Sequence, residues 1–268
     1  MAYDRILYEE KDGVAKVIMK RPEKLNALDM QIAEEMIQAL NRVKMNNELK
    51  VLILSGAGNA FCSGADLSTK ERVTSLEPAS LARAIKLEPF VRIGYLIKYL
   101  YELEKPIIAA VNGVATGAGL SLALAADVRV AGRSARFSAI FARRGLVPDT
   151  GTIYFLPRLV GKERALQMMW SGEMVSGEEA GRIGLVTHVV GDEEVMQKAE
   201  EIAKGLAAGP SVIIEAIKKA CRLGEETGSL DAVMAAEGYL QELAYKTRDY
   251  KEGVEAFLEK RNPVFKGE

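Results

Sequence analysis

With 268 residues, 49% of them hydrophobic, the chain can bury a full core within one large domain and its extension. Its 36 lysines and arginines are balanced by 37 aspartates and glutamates, which argues against a nucleic-acid or anionic-membrane surface and leaves any anion site to be local. Two cysteines, Cys62 and Cys221, and a single histidine are too few for a disulfide framework and make metal catalysis an unfavoured reading.

The opening MAYDRILYEEKDG places charges where a secretory signal needs an apolar core, and no apolar run approaches a membrane span, so a cytoplasmic enzyme is expected. Next, 14-VAKVIM-19 reads as a strand, residues 29–45 as an amphipathic helix and 50-KVLILSG-56 as a second strand. A helical stretch over 81–104 leads to the buried strand 106-PIIAAV-111, a glycine-rich turn, an alanine-rich helix and the short strand 127-DVRVAG-132. Strands joined by helical crossovers predict an α/β fold with substantial parallel pairing. Past residue 192 the pattern is helical almost throughout, with breaks at Gly209-Pro210, Gly224 and Gly228. We therefore expect a core over 1–192 and a C-terminal helical region over 193–268, the latter packing on the core or on another subunit.

The segment 112-NGVATGAGLSLALAADV-128 is the most informative stretch. A glycine-rich strand-to-helix turn exposes backbone N–H groups at a positive helix end, where a developing negative charge is stabilised. A dinucleotide site beginning at Gly56 and Gly58 fails because its third glycine position is Phe61 and no helix opens there. Serine hydrolysis is also disfavoured: Ser63 and Ser121 are outside G-x-S-x-G elbows, and His188 falls in the apparent strand 184-GLVTHVV-190. Two turns remain, 63-SGAD-66 and 117-GAG-119. At adjacent strand ends their amides would surround one oxygen and stabilise an enolate beside a thioester carbonyl; the competing reading is that the glycines merely allow tight packing.

In order, 21-RPEKLNAL-28, 61-FCSGAD-66, 112-NGVATGAG-119, 145-GLVPDTG-151 and 249-DYKEGVEAFLEKRNPVF-265 resemble the enoyl-CoA hydratase/isomerase, or crotonase, family across nearly the whole chain. The resemblance implies a spiral of ββα units followed by helices that form trimers, often paired into hexamers. It also implies an acyl-CoA substrate and no separate cofactor, the coenzyme A arriving as part of the substrate. By position in the motifs, the oxyanion-hole amides belong to Ala65 and Ala118. Ser121 and Phe141 stand where typical family hydratases carry two glutamates, so the usual water-adding mechanism is unavailable and both residues are expected at the acyl pocket.

One acid is suggestively placed: Asp149, in Leu146-Val147-Pro148-Asp149-Thr150-Gly151. On its residues alone it reads as an N-cap. The resemblance to dienoyl-CoA isomerases, and more closely to the isomerase of ring-epoxidised phenylacetyl-CoA, implies instead a functional aspartate in this turn. Dehalogenation by a nucleophilic aspartate is a lesser alternative, because residues 81–104 contain no histidine. Arg21, Lys24, Lys260 and Phe257 are implied as CoA contacts, Lys260 across a subunit boundary, although each lysine or arginine also reads as a solvated charge. Leu96, Tyr99, Leu100, Tyr154 and Phe155 read either as walls of an acyl pocket or as plain core packing. The expected function is double-bond isomerisation of an enoyl- or ring-derived acyl-CoA, with Asp149 as acid and base. A hydratase using a different acid/base set and a catalytically silent acyl-CoA-binding protein are the alternatives.

Overall fold

The apolar runs of the N-terminal half become the inner strands of a sheet covered on both faces. The computed structural model describes residues 3–68 and 92–268. Strands β1 (Ile6–Lys11) and β2 (Val14–Met19) form an antiparallel hairpin. Its Asp12-Gly13 turn has both φ angles positive, 50° and 78°, as a tight two-residue hairpin turn requires. Helix α1 (Met30–Met45) then begins at Asp29, whose side chain caps it by accepting the Ile32 amide at 2.9 Å.

Three successive strand pairs follow: β3 (Val51–Gly56) with β4 (Ala60–Cys62), β5 (Ile107–Val111) with β6 (Val114–Thr116), and β7 (Val128–Gly132) with β8 (Arg136–Ser138). Each pair gives its first strand to a six-stranded sheet and its second to a four-stranded one. Helix α2 (Arg92–Glu102) precedes β5, and α3 (Ala118–Ala125) follows β6. Chain order continues with α4 (Thr152–Val160), α5 (Lys162–Ser171), β9 (Val175–Ser176), α6 (Gly177–Arg182) and β10 (His188–Val190). The large sheet runs β1-β2-β3-β5-β7-β10, parallel from β2 onward; the small one runs β4-β6-β8-β9.

Strand periodicity divides the core. Leu52 and Leu54 of β3, with Ile107, Ala109 and Val111 of β5, pack on the side that holds α1, α2 and α3. Val51 and Ile53, with Ile108 and Ala110, point to the opposite side. There they meet Val195, Ala199 and Ala203 of α7 (Val195–Ala207). Such two-sided burial is why β3 and β5 read as continuous apolar runs. The first helix of the 193–268 region thus covers one face of the large sheet.

Helices α8 (Ser211–Thr227), α9 (Leu230–Ala244) and α10 (Arg248–Glu259) complete the chain. Lys218 fastens α8 to the core by donating to Asp127 Oδ2 at 2.7 Å and to the Lys105 carbonyl at 3.0 Å. Buried Asp249 holds the C-terminal tail, accepting the Lys266 and Gly267 amides at 2.8 Å each. No helix of the described residues is long and apolar enough to cross a membrane.

Two sequence expectations are shortened. The 184–190 strand is confined to β10, because the Leu185 and Val186 amides both donate to the Ala180 carbonyl, at 2.9 and 3.1 Å, and curl off α6. Of the 81–104 helix, residues 92–102 form α2, and residues before 92 lie outside the described residues.

Candidate active site

Parallel pairing of β4 with β6 brings their following turns together. The Thr116 hydroxyl donates to the Ser63 carbonyl at 2.9 Å, tying one turn to the other. Glycine sets how closely they meet. At Gly64 φ is +100°, and a Cβ there would lie 2.8 Å from the Thr116 carbonyl oxygen and 3.5 Å from the Ala118 nitrogen. At Gly119 a Cβ would lie 2.1 Å from the Cys62 carbonyl oxygen, so the first turn of α3 can press on β4 only without a side chain.

Ala65 and Ala118, whose amides the motifs imply, both line a cleft of about 700 Å³, together with Phe141, Arg144, Asp149 and others. Neither the Ala65 nor the Ala118 N–H donates a hydrogen bond among the described residues. Their neighbours do: Asp66 N–H donates to Leu28, Ser63 N–H to Leu25, and Gly117 N–H to Ser138. Ala118 is also the first residue of α3, where helix geometry leaves an amide without an intrahelical acceptor. Two residues whose amides have no acceptor among the described residues therefore line one cavity, one of them at a positive helix end.

The motif around residue 21 supports this arrangement from within. Arg21 Nη1 lies 2.8 Å from Asp66 Oδ2 and 3.2 Å from Asp29 Oδ2, and its side chain is only 11% exposed. Arg21 thus pairs with two internal carboxylates and braces the turn that carries Ala65. Asn26, fully buried, accepts the Arg21 amide at 2.9 Å and donates to the Ala57 and Ala60 carbonyls at 2.9 and 2.8 Å. Lys24 is exposed beside the same turn, its carbonyl accepting the Ser63 hydroxyl at 3.3 Å.

Two aspartates border the cleft, and their surroundings differ. Asp66 accepts both the hydroxyl and the amide of Ser68, at 2.6 and 2.9 Å; with Arg21 alongside, these bonds hold its carboxyl down at about 2. It stays ionised near neutrality and is poorly suited to donating a proton there. Asp149 makes no hydrogen bond or ion pair among the described residues and is exposed to the cleft. Nor does it cap a helix: α4 starts at Thr152 with Gly151 as its N-cap.

The other candidates divide by place. Phe141 lines the cleft and is 7% exposed, giving that wall an apolar surface. Ser121, expected at the acyl pocket, is fully buried and is not among the cleft-lining residues; its hydroxyl lies 2.7 Å from those of both Thr150 and Thr152. Leu96 and Leu100 are core residues, and Tyr154 and Phe155 pack against Tyr101. Tyr99 is hydrogen-bonded to Asn41. Phe257 and Lys260 are exposed at the end of α10 and do not line this cleft within the chain. His188 lies half-buried on edge strand β10.

Sequence reasoning did not single out Asp66, Thr150, Thr152 or Arg144. The neighbouring Arg143 is occupied, donating to the Ser171 carbonyl at 2.6 Å, whereas Arg144 borders the cleft. The tandem arginines were visible in the sequence; which one faced inward was set by the turn.

The enoyl-CoA hydratase/isomerase family model matches residues 9–268. The chain belongs to that family. It is 41% identical over 269 residues to a Rhodobacter capsulatus protein named "Probable enoyl-CoA hydratase", with 100% of both chains covered. It is 37% identical to the 1,2-epoxyphenylacetyl-CoA isomerase of Escherichia coli, covering 98% of each. Among solved structures, the enoyl-CoA hydratase of Bacillus anthracis matches with a TM-score of 0.88 at 32% identity, covering 99% of this chain and 100% of that one. The α/β spiral with C-terminal helices is therefore the crotonase fold, and the chain is an acyl-CoA enzyme of this family.

Proposed function

We propose that this family member isomerises a double bond of an enoyl- or ring-derived acyl-CoA, acting in the cytoplasm without a further cofactor. The carrying observation is that Ala65 and Ala118, whose amides have no acceptor among the described residues, and Asp149, an acid without a partner among them, line a single cleft. In this reading the thioester carbonyl accepts both amides. Asp149 takes a proton from one carbon, electron density moves to the carbonyl oxygen as a dienolate, and Asp149 returns the proton farther along the conjugated system. A single carboxylate suffices because the group that has taken a proton is then the acid that returns one, with exchange against water possible in between. Asp66 is a poor second acid, being held ionised by Ser68 and Arg21.

Hydration is the second reading, favoured by the name of the Rhodobacter relative. Isotopes separate the two: with an enoyl-CoA in ¹⁸O-labelled, deuterated water, isomerisation shifts the double bond with no oxygen gained, whereas hydration adds labelled oxygen. Asp149→Asn is expected to lower kcat by about 10²–10⁴-fold while acyl-CoA still binds. Wild-type turnover in that variant would refute the acid assignment, and binding without any turnover across short, long and cyclic acyl-CoAs would favour a silent binding protein.

Lys24, Lys260 and Phe257 are the proposed CoA contacts, the last two reaching a neighbouring subunit's site. A homotrimer or homohexamer is the proposed assembly. Its support is the exposure of large apolar side chains on α9 and α10, including Met234, Tyr239, Phe257 and Leu258. Sedimentation of the purified protein tests it, and a monomer at working concentration would overturn it.

A further inference from the structure

The position where typical family hydratases carry a glutamate is filled here by Ser121, and its surroundings give that serine a definite task. Its hydroxyl oxygen lies 2.7 Å from Thr150 Oγ1 and 2.7 Å from Thr152 Oγ1, and 3.4 Å from the Gly117 carbonyl. Ser121 and Thr152 are 0% exposed and Thr150 is 2% exposed. A hydroxyl donates one proton, so at least one threonine must donate to Ser121. Burial shields these bonds from competition with water.

The cluster joins the two halves of the proposed site. Ser121 lies one helical turn beyond Ala118, with its amide donating to Gly117 at 3.1 Å, so its position is fixed relative to the Ala118 amide by the rise of α3, about 4.5 Å over three residues. Thr150 adjoins Asp149 in the chain. Among the described residues, 147–150 make no backbone hydrogen bond: the last one before them is Leu146 N–H to Phe141, and the next is Tyr154 N–H to Gly151. Val147 is 73% exposed. The threonine hydroxyls are thus the hydrogen-bonded tether of an otherwise weakly held strip of backbone.

We infer that Ser121, with Thr150 and Thr152, positions Asp149 relative to the oxyanion amides, so that the residue in the glutamate's place serves catalysis by holding the acid. This rests on the assignment of Asp149 as acid and base. Misplacement of a catalytic group by about 1 Å can cost about 100-fold in rate, so loss of the tether should appear in turnover more than in binding.

The test compares Ser121→Ala, Thr150→Val and Thr150→Ser in the full-length protein, measuring kcat, KM, exchange of substrate protons with deuterated water, and Tm. Ser121→Ala and Thr150→Val are expected to lower kcat and proton exchange roughly 10- to 100-fold, with KM within about twofold of wild type. Thr150→Ser keeps the hydroxyl and should retain most of the activity. A Ser121→Ala protein that folds and keeps wild-type kcat would overturn the inference, as would equal losses in Thr150→Val and Thr150→Ser. Should Thr150→Val fail to fold, Ser121→Ala, which removes a single oxygen, decides the matter alone. Wild-type turnover in Asp149→Asn would instead refute the acid assignment, an outcome separable from an inactive Asp149→Asn beside an unaffected Ser121→Ala.

Discussion

Two stretches of backbone meet at the cleft, and they are held in different ways. Around Ala65 and Ala118 the chain is fixed by parallel strand pairing, by the Thr116 to Ser63 bond and by glycine contacts too close for a Cβ. Around Asp149, residues 147–150 lack backbone bonds among the described residues and depend on buried hydroxyls. The proposed donors thus belong to the sheet architecture, while the proposed acid sits on a segment whose placement depends on a few side chains. Stabilising charge requires donors that need no reorganisation; the proton-moving group must reach two carbons.

The comparison can be broken most forcefully at the donor itself. Ala118→Pro deletes one amide at a first helical position, where proline is tolerated, and should cost about 10²–10³-fold in kcat with the fold retained, as checked by circular dichroism. Next is Gly119→Ala. Its Cβ would meet the Cys62 carbonyl at 2.1 Å, so roughly 3 kcal/mol of stability and most activity should be lost together, seen as a lowered urea midpoint. By contrast, Ser121→Ala should separate the two properties, sparing stability more than turnover.

The smallest effect concerns pH. Asp66 is drawn from its ordinary value near 3.8 to about 2 by Ser68 and Arg21, so it stabilises the fold fully above about pH 4, and that contribution fades as pH falls towards 2. Asp66→Asn should remove this part of the acid-side slope while leaving the slope above pH 5 unchanged, as read from urea midpoints across pH 2–7. An unaltered acid limb would show that the brace on the Ala65 turn contributes no pH-dependent stability.

Sequence pattern revealed the site unevenly, for physical reasons. Strands β3 and β5 were legible because both their faces are buried, leaving uninterrupted apolar runs. The small sheet was not, because β4, β6 and β8 are three residues long and too short for a period to emerge. The two glycine-bearing turns were legible because they depend on local backbone geometry, whereas the choice of Ala65 and Ala118 within them came from the family motifs. Arg21 was legible as a cation of the first motif, but its pairing with Asp66 was not, because ion pairing across such a gap in sequence leaves no local signature. Ser121 was correctly seen to lack the chemistry of a carboxylate, but its threonine partners became apparent only when α3 and the Asp149 segment were brought together.

The two cysteines lend themselves to labelling experiments. Cys62, sealed beneath the turn of β4, is fully buried, and burial pushes its thiol up to about 12; Cys221 on α8 is exposed. A thiol reagent should therefore modify one site per folded chain and two per unfolded chain. Mass spectrometry of the labelled protein then provides a gauge of how often the core around β4 opens. A fluorophore placed on Cys221 would report from the C-terminal helices without touching the chemistry.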